Sequence, residues 1–127
     1  MDWDECRFKG FVKKVKEDKG LIVSLIKSSE KKLISEERLN LDEITSATKV
    51  ILAYDSIMEI LEAISSKSWF KIYNHECLTA FLKEILKEDG AAKEFDTFRK
   101  IRNGISYYGE DINLNEAKII VNNIKKN

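Results

Sequence analysis

Leu41-Asp42-Glu43-Ile44-Thr45-Ser46-Ala47-Thr48-Lys49-Val50-Ile51-Leu52-Ala53-Tyr54-Asp55-Ser56-Ile57-Met58-Glu59-Ile60-Leu61-Glu62-Ala63-Ile64-Ser65 is the stretch on which the fold turns. Leu41, Ile44, Ala47/Thr48, Ile51, Tyr54, Met58, Leu61 and Ser65 recur at the three- and four-residue intervals of an α-helix. Ile57, Ile60 and Ile64 widen that stripe. A helix apolar over so much of its circumference belongs at the centre of a bundle, where neighbours cover several sides. The spacing therefore predicts a long central helix over 41–65.

The flanking sequence reads as more helices with short connections. Asp4 to about Lys16 aligns Phe8, Phe11, Val12 and Val15 on one stripe, and Gly20 follows as a break. A second helix is expected from Leu21 to about Arg38, with Leu21/Ile22, Leu25/Ile26, Ser29, Leu33 and Ile34 inward and Asn40 as the next N-cap. Beyond the central helix, 65–74 breaks the period and holds Trp69, Phe70 and Tyr73, as a structured connection would. Asn74 can cap a helix from His75 to about Lys87, ended by Gly90 in a left-handed conformation. Ala91 to Tyr108 forms the next, closed by Gly109, and Asn113-x-x-Glu116 is a capping-box variant opening the last. The expectation is an all-α single domain over residues 1–127, an antiparallel up-and-down bundle of five or six helices.

Composition agrees. The 127 residues contain no proline, where average usage would give about six. Proline lacks the N–H that a helix interior needs and clashes with the preceding turn, so long helices exclude it. No apolar run approaches the ~20 residues of a membrane span. Cys6 and Cys77 show no metal-ligand spacing and read as two unmatched thiols, small buried hydrophobes in a reducing, cytoplasmic compartment. Twenty-two basic and 22 acidic residues cancel, so no global field draws the chain to nucleic acid, and any such contact must come from a local patch. No cofactor or metal site is expected, because the glycines are isolated and neither Cys-x-x-Cys nor His-x-x-x-His occurs.

One stretch concentrates chemistry: Phe98-Arg99-Lys100-Ile101-Arg102-Asn103-Gly104-Ile105-Ser106-Tyr107-Tyr108-Gly109. The chain has four Arg against 18 Lys, and two of the four lie here. Arginine's planar fork grips phosphate oxygens in pairs, as lysine cannot. Arg99 and Asn103, and Arg102 and Ser106, are i,i+4 neighbours. Tyr107 and Tyr108 add hydroxyls and stacking faces. Gly104 inside a helix costs about 1 kcal/mol relative to Ala, so a close approach is expected there. A structural reading serves the same residues: Arg102 pairs with Asp55, Glu59 or Glu62, and the tyrosines are ordinary boundary residues.

Arg102-Asn103-x-x-x-Tyr107, late in a small helical bundle, resembles the motif of HEPN domains, in which Arg is followed after four to six residues by His. Lys71-Ile72-Tyr73-Asn74-His75-Glu76, opening a helix after an aromatic loop, and Ala53-Tyr54-Asp55 on the central helix also resemble that family's layout. The similarity covers about Leu41 to Lys126. It implies a helical bundle that forms a homodimer, with Arg and His of both protomers in a shared cleft that cuts RNA without metal. It also implies pairing with a small nucleotidyltransferase as toxin and antitoxin, or a helical partner module. Here Tyr107 and Tyr108 stand where the motif has His, and tyrosine, with a pKa near 10, is a poor general base at neutral pH.

Three readings follow. The first is a non-catalytic or weakly catalytic HEPN-like domain that binds a nucleotide, RNA or a nucleotidyltransferase through Arg99, Arg102, Asn103, Ser106, Tyr107 and Tyr108. The second is an active metal-independent ribonuclease using Arg102 and Tyr107, or His75, the only imidazole. The third is an interaction scaffold without a ligand site. For His75 itself the sequence favours a structural role at a helix N-terminus, closing the loop with Trp69.

Overall fold

A computed structural model describes residues 1–126. Its elements are α1 (Trp3–Phe8), β1 (Val12–Lys14), α2 (Lys19–Arg38), α3 (Ser46–Lys67), β2 (Phe70–Ile72), α4 (His75–Ala80) continued by a π-helical segment (Phe81–Ile85), α5 (Asp89–Tyr108) and α6 (Leu114–Lys126). The described residues are mostly helical, and α3 is the element against which α2, α4, α5 and α6 pack. Its buried side includes Val50, Ala53, Tyr54 and Leu61, which share one core with Leu78, Phe95, Phe98, Val121 and Ile124.

The central helix starts later than its apolar period. The Asp42 carboxylate accepts hydrogen bonds from the backbone N–H groups of Ile44 and Thr45, at 2.8 and 2.9 Å. Such a local turn competes with helix. Thr45, not Asn40, therefore occupies the N-cap position of α3, and Ile44 is left exposed. At the other side of α2, Asp18 caps the helix by accepting from the Leu21 N–H at 3.0 Å, so Gly20 lies in the first turn and breaks nothing.

The helix expected over Asp4–Lys16 does not form as such. Gly10 takes a left-handed conformation (φ 77°), with Phe11 N–H donating to the Cys6 carbonyl and Gly10 N–H to that of Arg7. That is the hydrogen-bond pattern of a Schellman stop. The chain leaves it extended and pairs antiparallel with β2, Val12 opposite Ile72, Lys13 opposite Lys71 and Lys14 opposite Phe70. The all-α expectation thus gains a two-stranded ribbon. A second left-handed residue was also misplaced: Lys87 (φ 60°), not Gly90, ends the helix after a π turn, and Gly90 lies inside α5. Asn74, Gly109 and the Asn113–Glu116 box cap as their positions predict.

The cysteines overturn their sequence reading. Cys6 on α1 and Cys77 on α4 are joined in a disulfide, and both are fully buried. They pack with Trp3, Val12 and Phe81 in a second small core, where the Trp3 ring lies 5.1 Å from Phe70 and 5.8 Å from Phe81. A sequence separation of 71 is invisible to spacing rules. In the chain-entropy account such a link stabilises the fold by roughly 4 kcal/mol. The expectation of a reducing compartment rested on unpaired thiols and loses that ground. Among the described residues no helix is long and apolar enough to cross a membrane.

The α2–α3 hairpin is held by polar groups. Its fully buried α2 residues are Ser29 and Glu36, while Leu21, Ile26 and Ile34 of the expected inward stripe are exposed. Ser29 and Ser56 each donate their hydroxyl to the other's carbonyl, at 2.8 and 3.1 Å, and Lys32 pairs with Glu59. Lys49 Nζ donates to the carbonyls of Glu36 (2.6 Å) and Leu39 (2.7 Å) and pairs with Glu36 Oε1 at 2.9 Å. It thereby adds donors to carbonyls at the C-terminal end of α2, where the Glu36 carbonyl otherwise has only the Leu39 N–H at 3.2 Å. Lys125 stands 2.7 Å from Glu36 Oε2, close enough to neutralise it though off the line of a hydrogen bond. Pairing residue 29 with 56 and 36 with 49 makes α2 and α3 antiparallel.

Removing one partner of a buried ion pair leaves an uncompensated charge and costs about 3–5 kcal/mol. Lys49→Met should lower the unfolding free energy by about that much in urea titration, whereas Lys13→Met on the exposed ribbon should change it by less than about 0.5 kcal/mol.

Candidate functional site

Helix α5 runs antiparallel to α3: Arg102 faces Asp55, while Phe95, Phe98 and Ala91 lie against Ile57, Leu61 and Ile64. This arrangement follows from the apolar stripe of α5, which places Phe95 and Phe98 in the core and leaves Arg102, one turn on, at its edge. Arg102 Nε lies 3.7 Å from Asp55 Oδ1, and each side chain is 18% exposed. At that distance the charges attract without forming a hydrogen bond. The guanidinium carbon is 6.0 Å from the Tyr54 ring centre and 5.7 Å from that of Tyr107. Arg102 Nη1 donates to Tyr107 Oη at 3.4 Å. Tyr54 stacks on Phe95 at 5.4 Å and meets the His75 ring at 6.3 Å.

Burial dominates the electrostatics. It pushes the Asp55 carboxyl up, against the pull of Arg102 and Lys32. It pushes the Tyr54 hydroxyl well above the ordinary phenol range, with Arg102 opposing. His75 is pushed down by burial and then by the Arg102 charge, which favours its neutral form. Glu62, two turns along the same face of α3 from Asp55, is raised by burial and by the neighbouring Glu59. Three atoms here, Tyr54 Oη, Asp55 Oδ1 and Arg102 Nε, are buried and have no hydrogen-bond partner. Buried polar groups nearly always have one, so their convergence at one place asks for an explanation.

The residues singled out from the sequence divide. Arg102 and Tyr107 come together, and Arg102 takes Asp55, one of the three carboxylates considered for it. Arg99 is tied to Asp96 by hydrogen bonds of 3.0 and 2.9 Å to the same oxygen. Lys100 also approaches Asp96, at 3.1 Å, and Thr79 donates to it at 3.3 Å. Burial would raise Asp96, but its hydrogen bonds with Arg99 and Lys100 outweigh that and hold the carboxyl below its usual range. Asn103 is half-buried, and Ser106, Tyr107 and Tyr108 are exposed. The close approach at Gly104 is made by the Glu110 carboxylate, the movable end of a side chain.

Tyr54 is the member that sequence reasoning did not place in the site, while His75, named there only as an alternative to Tyr107, packs against Tyr54. The signal available for Tyr54 is its neighbour Asp55, one of the carboxylates considered for Arg102. His75 packs on Tyr54, where the sequence reading had closed the loop with Trp69. Comparison with protein-family models, curated proteins and solved structures finds no match for this chain. Among the described residues no group of three or more His, Cys, Asp and Glu side chains is placed to hold a metal ion.

The His75 shift has a consequence for stability. In the folded state His75 binds a proton less readily than at its ordinary value of 6.5, so its contribution to stability is present above that pH and is lost as the pH falls. Thermal unfolding followed from about pH 7.5 to about pH 5.5 should show Tm falling, and His75→Gln should flatten that part of the profile. An imidazole resonance that titrates at or above the free-histidine value would contradict it.

Proposed function

We propose that this chain is a HEPN-like domain, non-catalytic or weakly catalytic, that binds a phosphate-bearing ligand, a nucleotide or RNA, at Arg102. The observation that carries the reading is the set of unpartnered polar atoms around that residue, Tyr54 Oη, Asp55 Oδ1 and Arg102 Nε. A structural arginine would be expected to sit in a hydrogen-bonded fork with a carboxylate, as Arg99 does with Asp96. Arg102 has only a 3.7 Å attraction and one long hydrogen bond to a tyrosine. Its planar N–H array is suited to donate to phosphate oxygens. Burial pushes the Asp55 carboxyl up, against the pull of Arg102 and Lys32. Tyr107 and Tyr108, both largely exposed, offer faces on which a base stacks.

The same reading takes a homodimer or a small nucleotidyltransferase as partner. Exposed Ile26, Ile60 and Ile64, which with Ile22 line one shallow groove across α2 and α3, are the apolar surface that such a partner would cover.

One observation favours a second reading, a metal-independent ribonuclease. His75 lies in the same cluster, and burial keeps its imidazole neutral and able to accept a proton.

One set of measurements tests both. Arg102→Ala should weaken binding of ATP and of single-stranded RNA by roughly 10–100-fold, the size of a lost charge-assisted contact. Unchanged affinity for both ligands would sink the binding reading. RNA or tRNA cut in EDTA by the intact chain, and left whole by His75→Ala, would establish the nuclease.

A further inference from the structure

We infer that the outward face of the two-stranded ribbon, built from Lys13, Lys71 and Tyr73, is a platform for single-stranded nucleic acid. The inference deepens the reading of the Arg102 site and rests on it for the phosphate held there; it names the ligand as a strand and not a mononucleotide.

The register is the starting point. Lys13 and Lys71 are directly opposite in the antiparallel pair, so both side chains leave the same face. Like charges placed opposite one another weaken a sheet. A longer ladder does not relieve them, although it extends beyond the strands through Tyr73 N–H to the Phe11 carbonyl and Val15 N–H to the Trp69 carbonyl. Neither ammonium is within ion-pair distance of a carboxylate among the described residues, although Lys71 favours the charged form of Glu62 at longer range; both approach the Tyr73 ring, at 5.7 and 5.6 Å from its centre. On a chain of zero net charge this is a local excess that the fold maintains at a cost.

The opposite face of the ribbon explains itself by packing: Val12, Phe70 and Ile72 join the core. The outward face has no such account. Tyr73 is about half exposed, and Trp69 is too. Flat rings beside unpaired ammonium groups are what a single strand uses, phosphates on the cations and bases on the rings. An anionic membrane fits less well, because the aromatic ring on this face is held beside both ammonium groups, at 5.7 and 5.6 Å, as a phosphate-and-base ligand needs. The platform also leads to the other site. Tyr73 is two residues from His75, about 7 Å of extended chain, and His75 packs on Tyr54 beside Arg102.

The test is binding of a fluorescent single-stranded RNA of about 12 nucleotides and of ATP, at several salt concentrations. Lys13→Ala with Lys71→Ala should weaken RNA at least about 10-fold and reduce the magnitude of the logarithmic salt slope by about 1.4, two phosphates' worth, while ATP binding stays unchanged. Tyr73→Leu should weaken RNA by roughly 5-fold or more through lost stacking. Lys13→Glu separates function from folding: it replaces a like-charge pair by an opposite one and keeps the Lys71 charge that Glu62 feels, so Tm should rise by roughly 1–4 °C while RNA affinity falls.

RNA affinity unchanged in the ribbon variants overturns the platform. So does a loss confined to phosphatidylserine vesicles with RNA binding intact. Arg102→Ala losing ATP while the ribbon variants leave RNA binding untouched overturns the platform and spares the Arg102 site; the reverse pattern overturns the Arg102 site and upholds the platform.

Discussion

The polar seam between α2 and α3 determines how the rest of the molecule is arranged. Ser29 with Ser56, Lys32 with Glu59 and Glu36 with Lys49 are three separate layers, and each is satisfied in only one register. A purely apolar interface tolerates sliding and rotation, because one methyl group substitutes for another; a buried lysine without its carboxylate does not. With Lys49, Ser56 and Glu59 committed to α2, the rotation of α3 is set. Neighbouring positions on a helix differ by about 100°, so Asp55 and Tyr54 must then face elsewhere, and they face α5 and α4. The geometry of the Arg102 cluster is thus a consequence of a contact on the other side of the central helix.

Much of this fold is legible in the sequence, and the boundary of legibility has physical causes. The central helix, its wide apolar arc and the caps at Asn74, Gly109 and Asn113 are local signals, and local signals survive folding. The start of α3 was misplaced because the Asp42 turn outcompetes a helix that the apolar period alone would allow. The N-terminal segment was misread for a similar reason. Phe8, Phe11, Val12 and Val15 fit a helical stripe, but Gly10 stops the helix and the partner strand lies about 60 residues away. Strand pairing and the Cys6–Cys77 bond are both long-range, and neither leaves a trace in spacing. The same holds for His75, whose position beside Tyr54 depends on the packing of α4 and not on any motif.

The site shows how burial and charge divide the work in a chain with no net charge. Asp55, Tyr54 and Glu62 are shifted toward their neutral forms by burial, and so is His75 from the other direction. Arg102 is the permanent charge at the centre of these titratable groups. Arg99, three residues earlier and on the same helix, is held in a fork by Asp96. Two arginines one turn apart thus have opposite environments, one saturated and one open. Sequence context distinguishes them only in part: Asp96, three residues before Arg99 on the same helix, is a local signal, whereas the acid near Arg102 is on another helix and leaves none.

The disulfide gives the chain a covalent shape that its helices do not reveal. Closing Cys6 onto Cys77 makes a ring that contains β1, all of α2 and α3, and β2, while α5 and α6 hang from it as a single tail. The polar seam lies wholly inside the ring, and Arg102 lies outside it. A backbone break in the exposed 40–44 turn would therefore open the loop without releasing either half. The two helices of the hairpin would remain tethered through α1 and α4, so integrity of the peptide bond between them is not what keeps them together.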